Sequence, residues 1–323
     1  MKKKMPRILL FSGIVLAVII LGLFAAIKYS SPVSPAPDGK IAAVFRAADY
    51  SHLPSLSYYQ ARDGVKLAYR SYPSGAASLK TVVLIHGSTG SSMMMHPLAK
   101  YLQGQGIHVY APDMRGHGSS GEKGDIAYIG QLEDDLEDFI HEVVKERQDL
   151  TLVGFSSGGG FALRFAAGDR QNYFDRYILL APFIGYNAPT NRPDISAWAN
   201  ASIARIICLS LLGPVGEKCL GHLPVLAFAA DPENARNQTA VYSYRLSKNF
   251  SAHQNYKADL KNAAKPIAVL VGQEDEFFYP QKFLPVFAAG QPHAEITIVP
   301  DVGHVSLIID GSALEAIAQQ IVH

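Results

Sequence analysis

The pentapeptide at residues 154–158, Gly-Phe-Ser-Ser-Gly, constrains the fold of this chain more than any other segment. It follows the apolar run 150–153 and precedes a glycine-rich, then apolar segment that predicts a buried helix. A serine on a sharp strand-to-helix turn has strained backbone geometry, so the residues two positions away must lack side chains that would collide with it. Gly154 and Gly158 meet this requirement. The pattern predicts that Ser156 is a nucleophile, and a purely structural tight turn is the alternative.

A serine hydroxyl needs a base that takes its proton and an acid that orients this base. His304 is the candidate base, because it lies in a loop directly after the last predicted strand. Asp275, in the loop after the preceding predicted strand, is the candidate acid, and Glu274 and Glu276 are the alternatives. The resulting order of Ser156, acid and histidine is that of α/β-hydrolases and differs from the order in chymotrypsin and subtilisin.

The tetrahedral intermediate of such a reaction needs two preorganised backbone donors, which form an oxyanion hole. One donor is the amide after the nucleophile, which belongs to Ser157. The other is expected from the loop 86–90, whose glycines let the backbone approach a substrate, and the amide of Ser88 is the predicted donor. His86 lies at the end of the preceding strand and is predicted to be structural, as is the charged, glycine-rich loop 113–118.

Strand-like and helix-like segments alternate from residue 56 onward. Residues 57–69 predict a β-hairpin, and residues 129–143 carry apolar side chains along one helical face. Continuous apolar runs, which are typical of buried parallel strands, lie at 82–85, 107–111, 150–153, 177–180, 267–271 and 296–299. Ser312 and Glu315 predict a capping box at the start of a C-terminal helix. The predicted fold class is α/β, with a mostly parallel central sheet flanked by helices.

The alternation stops between residues 183 and 265, a segment much longer than a simple connection needs. Its apolar stretches 203–212 and 223–230 look helical. The segment is interpreted as a helical lid, inserted at about 184–262, that lines an acyl-chain pocket, rests on a membrane, or packs on the body of the domain.

Basic residues at positions 2, 3, 4 and 7 precede an uncharged apolar run, residues 8–27, which ends at Lys28. At ~1.5 Å per residue this run is long enough to span the ~30 Å hydrocarbon core. Residues 1–29 are therefore predicted to be a single-pass membrane anchor with a cytoplasmic N-terminus, and a cleaved signal peptide and a buried core helix are the alternatives. The rest of the chain is expected to be periplasmic or extracellular, with a proline-rich stalk and lead-in at 30–55 and a hydrolase domain at 56–323.

Without the basic residues at 2, 3, 4, 7 and 28, the chain has 24 basic and 28 acidic residues, a net charge of −4. A mildly acidic domain of this kind gives no support to nucleic-acid binding. Cys208 and Cys219 form either a disulfide or two free thiols, and no spacing of cysteine and histidine suggests a metal site. No cofactor is expected, and the sequence does not indicate protein partners.

Taken together, the motifs resemble those of the monoacylglycerol lipase, lysophospholipase and serine aminopeptidase group of α/β-hydrolases. The segments that carry the resemblance are 86–88, 113–118, 154–158, 272–275 and 303–304. The resemblance covers residues 56–323. It implies Ser156 as nucleophile, Asp275 as acid, His304 as base, and Ser88 and Ser157 as oxyanion donors.

These observations predict a membrane-anchored serine hydrolase that cleaves carboxylic esters through an acyl-enzyme. A monoacyl lipid, either a monoacylglycerol or a lysophospholipid, is the expected substrate, and another small-molecule ester is also compatible. The alternatives are a serine aminopeptidase, which needs an acid in its pocket to hold a free amine, a thioesterase, and a catalytically silent binding module. Acids of the predicted lid that could hold an amine are Asp194, Glu217, Asp231 and Glu233.

Overall fold

A computed structural model of the chain describes residues 7–37, 39–75, 80–144, 149–193, 198–230 and 238–322. Its centre is a mixed β-sheet whose strands are β1 (Ser57–Gln60), β2 (Lys66–Tyr72), β3 (Thr81–Ile85), β4 (His108–Pro112), β5 (Leu150–Phe155), β6 (Arg176–Leu180), β10 (Ile267–Gly272) and β11 (Glu295–Val299). The order across the sheet is β1-β2-β4-β3-β5-β6-β10-β11. Strands β1 and β2 form an antiparallel hairpin, β2 is antiparallel to β4, and all remaining neighbours are parallel.

The helices flank this sheet or belong to segments outside it. They are α1 (Arg7–Tyr29), α2 (Gly39–Ala47), α3 (His96–Gly104), α4 (Gln131–Glu142), α5 (Ser157–Ala166), α6 (Ile203–Leu211), α7 (Gly213–Leu220), α8 (Tyr244–Asn249), α9 (Tyr256–Asn262), α10 (Phe283–Ala288) and α11 (Gly311–Val322).

The inner parallel strands explain the continuous apolar runs of the sequence. Strands β3, β5 and β10 are buried at every position, because both faces of the sheet are covered. Helix α5 is also buried along its whole length and contacts β5 and β6. Each fully buried phenylalanine of this helix, Phe161 and Phe165, contributes about 1.5–3 kcal/mol relative to an exposed side chain. The predicted hairpin, parallel strands and α4 are confirmed, and the fold is the predicted α/β-hydrolase fold.

Residues 181–266, here called the insertion, separate β6 from β10. They contain α6–α9 and a small antiparallel sheet of β7 (Ala199–Ala201), β8 (Pro224–Phe228) and β9 (Val241–Ser243). The predicted helix at 203–212 is present as α6. The helix predicted at 223–230 is wrong, because this short apolar run forms the central strand β8, and a run of that length fits either a buried strand or a helix.

Both cysteines are free thiols, and each belongs to a helix of the insertion. Cys208 is buried on α6, and Cys219 is exposed on α7. Cys208 packs in a small apolar cluster with Leu209 and Ile27. Of the two alternatives that the sequence left open, the structure thus has the pair of free thiols.

The apolar N-terminal run forms α1, whose last turns contact α6 of the insertion. Ile27 is buried at this contact, and Arg205 of α6 donates from Nε to its carbonyl oxygen at 2.7 Å and from Nη2 to Ser31 Oγ at 2.9 Å. Residues 1–6 of the predicted anchor lie outside the described residues. Among the described residues, no helix combines the length and the apolar character that a membrane span needs. The membrane anchor and the location of the domain therefore remain predictions from the sequence.

Two further segments have features that the sequence analysis did not predict or placed differently. The lead-in contains α2, in which Ile41 and Phe45 are four residues apart and share one helical face, and Ile41 is buried. At the other end of the chain, α11 begins at Gly311, and Asp310 Oδ1 accepts from both the backbone N–H and the hydroxyl of Ser312. The predicted capping box is therefore wrong, because Asp310 takes the capping role.

Candidate active site

Ser156 lies at the junction of β5 and α5 with a backbone φ of +54°, in a region that non-glycine residues rarely occupy. Its N–H donates to Leu180 O at 2.8 Å, and its carbonyl oxygen accepts from Phe183 N at 2.9 Å. A Cβ atom at Gly154 would lie 2.2 Å from the carbonyl oxygen of Gly158, and one at Gly158 would lie 2.3 Å from that of His86. The two glycines of the motif are therefore required by backbone contacts, as the sequence predicted.

Three predicted site residues form one hydrogen-bonded row. His304 Nε2 lies 3.1 Å from Ser156 Oγ, and His304 Nδ1 lies 2.8 Å from Asp275 Oδ2. The other oxygen of Asp275 accepts the backbone N–H groups of Phe277 and Phe278 at 2.9 and 2.8 Å. A carboxylate that only accepts hydrogen bonds fixes the imidazole proton on Nδ1 and turns the lone pair of Nε2 toward the serine. This arrangement can remove the hydroxyl proton of Ser156.

The structure also separates the three candidate acids. Asp275 is fully buried against the imidazole, whereas Glu276 accepts the backbone N–H of His304 at 2.7 Å, and Glu274 is exposed. Phe155, Phe277 and Phe278 surround the imidazole, with ring centroids 4.9–5.2 Å from its own. These rings exclude water from the Asp275–His304 pair, which strengthens its hydrogen bond.

The predicted oxyanion residues lie together next to Ser156. Ser88 Oγ and Ser157 Oγ are 2.5 Å apart, and both residues line the same cavity as Ser156. Within the described ranges, neither the N–H of Ser88 nor that of Ser157 has a hydrogen-bond acceptor. Two unpaired backbone donors beside a serine hydroxyl are what the oxyanion of a tetrahedral intermediate requires.

A contact that the sequence did not predict holds the loop after β3. Thr89 has a φ of +63°, and two residues of the insertion fix its peptide groups. Its N–H donates to the hydroxyl of Tyr242 at 2.9 Å, and its carbonyl oxygen accepts from Thr239 N at 3.0 Å. We call these two contacts the Thr89 clamp. They fix the backbone next to Ser88.

The clamp continues into a chain of buried imidazoles. Tyr242 Oη lies 2.5 Å from His117 Nε2, and His117 Nδ1 lies 3.2 Å from the carbonyl oxygen of Arg115. Since a carbonyl only accepts, Nδ1 of His117 carries the proton, and the tyrosine donates to Nε2. Burial lowers the pKa of His117 well below its usual range, and the charge of a protonated His86 nearby is the second cause. The loop 113–118 and His86, which accepts from Met114 N at 3.1 Å, thus have the predicted bracing role.

A cavity of about 530 Å³ opens over Ser156, a size within the usual range of ligand pockets. Its walls are largely aromatic and come from the insertion and from the segment after β10. The aromatic side chains include Phe183, Trp198, Phe228, Tyr242, Phe250 and Phe277. Such walls are suited to an apolar ligand. Acids at 194, 231 and 233 lie outside the described residues, and Glu217 is on α7, where it accepts the N–H of Ile129 at 3.4 Å and does not line the cavity.

A second, smaller cleft reaches the same residues from the N-terminal side. Ile41 and Phe45 of α2 line it together with Ser156, His304 and Trp198. This contribution of α2 was not predicted from the sequence, although the spacing of its two apolar side chains was a signal for a helix. Tyr242 and Arg192 of the insertion were not predicted either, because no local pattern connects them with the distant loops that they contact.

Comparison with known proteins places the chain among hydrolases. Residues 76–308 match the family model of serine aminopeptidases, S33. Human monoglyceride lipase is 26% identical over 180 residues, 53% of this chain and 56% of that protein. An uncharacterized hydrolase of Saccharomyces cerevisiae is 46% identical over 59 residues, 19% of its length. The chain thus matches less than two thirds of either relative.

Solved structures show the same fold at lower sequence identity. A soluble variant of monoglyceride lipase from Saccharomyces cerevisiae, in complex with a substrate analog, aligns with a TM-score of 0.64 at 21% identity, over 84% of this chain and 96% of that one. A membrane phospholipase A, described as a bacterial virulence factor, aligns with a TM-score of 0.59 at 20% identity, over 98% of both chains. With the family match covering most of its length, the chain belongs to the serine aminopeptidase S33 family and has the α/β-hydrolase fold.

Proposed function

We propose that this chain is a serine hydrolase that cleaves carboxylic esters of monoacyl lipids. The observation that carries the proposal is the row from Asp275 through His304 to Ser156, with Ser88 and Ser157 beside it. The aromatic cavity over the serine suits an acyl chain, and the insertion serves as the lid that covers it. Human and yeast monoglyceride lipases and a membrane phospholipase A among the similar proteins support a lipid substrate.

The geometry suggests a two-step mechanism. His304 takes the proton of Ser156 as the oxygen attacks the ester carbonyl, and Asp275 stabilises the imidazolium. The amides of Ser88 and Ser157 stabilise the oxyanion. His304 then gives its proton to the leaving alcohol, which leaves an acyl-enzyme. Water activated by the same imidazole attacks this ester, and the fatty acid and free Ser156 result.

An aminopeptidase is the less favoured alternative. A free amine needs a carboxylate in the pocket, and the cavity lining has none within the described residues. A thioesterase would use the same three residues, and comparison of matched oxygen esters and thioesters distinguishes it. A silent binding module does not need a hydrogen-bonded serine, imidazole and carboxylate, all of which are present.

Initial rates of residues 1–323 on esters of increasing acyl length, with a monoacylglycerol included, test the proposal. We expect a rate that rises toward long chains, and Ser156→Ala to lower kcat by about 10⁶-fold. The control is Ser312→Ala on the surface of α11, which removes an exposed serine and keeps the wild-type rate. Turnover that survives Ser156→Ala would exclude the proposed mechanism, and wild-type protein inactive on every ester would exclude the proposed activity.

A further inference from the structure

Arg192 is the one charged residue among the described residues that line the cavity over Ser156. The remaining lining residues are aromatic, aliphatic or neutral polar, and the neutral polar ones include Asn187 and Asn191. An anionic group that enters this cavity would meet a guanidinium. Arg192 is half-buried, and no carboxylate of the described residues pairs with it, so its position in a largely apolar cavity calls for a role.

The guanidinium is held in place by the segment that carries the candidate acid. Arg192 Nε donates to the carbonyl oxygens of Asp275 and Phe278 at 2.9 and 2.8 Å, and its backbone N–H donates to Phe277 O at 2.9 Å. Its Cζ lies 4.6 Å from the ring centre of Tyr279, a cation–π contact. In the described part of the chain, its two terminal nitrogens have no hydrogen-bond acceptor. The fork of donors is therefore fixed before any ligand binds, which lowers the entropy cost of binding.

The position of Arg192 indicates which part of a substrate it meets. In the proposed mechanism His304 protonates the leaving alcohol, so the alcohol part of the ester lies on the side of the imidazole. The segment 275–279 contributes both Asp275 and the two phenyl rings that contact His304. Arg192 is bound to this same segment. An alcohol part, or head group, on the side of the imidazole would meet Arg192, while the acyl chain would occupy the aromatic remainder of the cavity.

We infer that Arg192 binds the phosphate of a glycerophosphate head group, so that monoacyl phospholipids are preferred over neutral monoacylglycerols. The inference rests on the proposed ester hydrolysis and specifies its substrate. A guanidinium with free terminal nitrogens binds phosphate through two parallel, charge-assisted hydrogen bonds. In the reaction, the carboxylic ester bond breaks, water supplies the hydroxyl of the fatty acid and the alcohol proton, and the phosphate leaves unchanged with its glycerol.

A matched pair of substrates tests this. Decanoyl glycerol and decanoyl glycerol 3-phosphate, used below the concentrations at which they aggregate, differ only in the phosphate. We expect wild-type kcat/KM to favour the phosphate substrate by about 10- to 100-fold, the effect of a charge-assisted bidentate contact. Arg192→Gln lowers both rates because it also loosens the segment of Asp275, and it brings their ratio to about one. Arg192→Lys keeps the charge without the fork and gives an intermediate ratio.

Arg176→Gln is the matched control. Arg176 donates to the carbonyl oxygen of Gln320 on α11 and does not line the cavity. We therefore expect this variant to keep the wild-type ratio of kcat/KM between the two substrates. Binding of glycerol 3-phosphate to Ser156→Ala, measured by calorimetry, gives a second readout without turnover, and the added Arg192→Lys change weakens it. If Arg192→Gln does not fold, as thermal unfolding shows, the lysine variant decides. Equal wild-type kcat/KM on both substrates, or a preference that persists without Arg192, overturns the inference and leaves the proposed ester hydrolysis standing. Wild-type protein that is inactive on both substrates overturns both the phosphate inference and the proposed ester hydrolysis.

Discussion

Tyr242→Phe removes one oxygen atom from the Thr89 clamp and little else. Tyr242 is 2% exposed, and its ring centroid lies 4.7 Å from that of Phe228 and 6.5 Å from that of Phe250, contacts that a phenylalanine keeps. The hydroxyl accepts from Thr89 N and donates to His117 Nε2. The substitution therefore isolates these two hydrogen bonds from the packing of the ring.

Both partners are buried, so each is left with an unsatisfied polar atom. Such an atom costs about 1–3 kcal/mol, and for two of them we expect the free energy of unfolding to fall by about 2–6 kcal/mol. The catalytic effect follows from the strained φ of Thr89, which relaxes when its N–H is released and moves the amide of the adjacent Ser88. Small displacements of catalytic groups and loss of an oxyanion donor lower kcat by about 10- to 1,000-fold, and we expect about 10- to 100-fold here.

Urea unfolding and initial rates on the best ester substrate measure the two effects separately. Tyr58→Phe is the matched control, because Tyr58 is 53% exposed on β1, and its loss of a hydroxyl leaves both quantities at the wild-type value. A Tyr242→Phe protein with wild-type unfolding and wild-type kcat would show that the clamp does not position the loop. Lower stability with unchanged kcat would reduce the clamp to a structural role.

Gly158→Ala tests the strand-to-helix turn at Ser156. The new Cβ would lie 2.3 Å from His86 O and 2.7 Å from Ile85 O, so we expect the variant to lack the wild-type thermal transition, and a variant with a normal transition would show that the turn does not require glycine at position 158. Burial lowers the pKa of both His86 and His117, so below pH ~6.5 these groups bind fewer protons in the folded chain than in the unfolded chain. Stability is therefore complete above that pH and falls as the pH drops below it, by up to about 1.4 kcal/mol per pH unit for each histidine, and urea midpoints that are flat between about pH 7 and 5 would refute this.

The sequence predicted the features that depend on local geometry. The strand-to-helix turn at Ser156 demands its two glycines whatever surrounds it, and parallel strands place the ends of β5, β10 and β11 on one edge of the sheet. The positions of Asp275 and His304 could therefore be predicted from chain order. The helix predicted at 223–230 failed because a short apolar run has no periodicity that separates helix from strand.

Contacts between distant segments could not be predicted from local sequence patterns. Tyr242 reaches Thr89 across 153 residues, and Arg192 reaches the carbonyl of Asp275 across 83. Neither pair has a spacing, a charge pattern or a motif that marks it. Their partners follow only from how the insertion packs on the ends of the strands, and this packing is set by many apolar contacts at once.

The contact between α1 and the insertion matters for how this protein is prepared. Arg205 donates to the carbonyl oxygen of Ile27 at the end of α1 and to that of Pro224 at the start of β8, so it joins the N-terminal helix to the insertion sheet. A shortened chain without residues 1–38 loses the first of these acceptors and uncovers the apolar surface of Cys208 and Leu209. Shortening the chain for easier purification therefore removes part of the support of the insertion. Rates measured without residues 1–38 therefore describe a protein in which the insertion is less well supported.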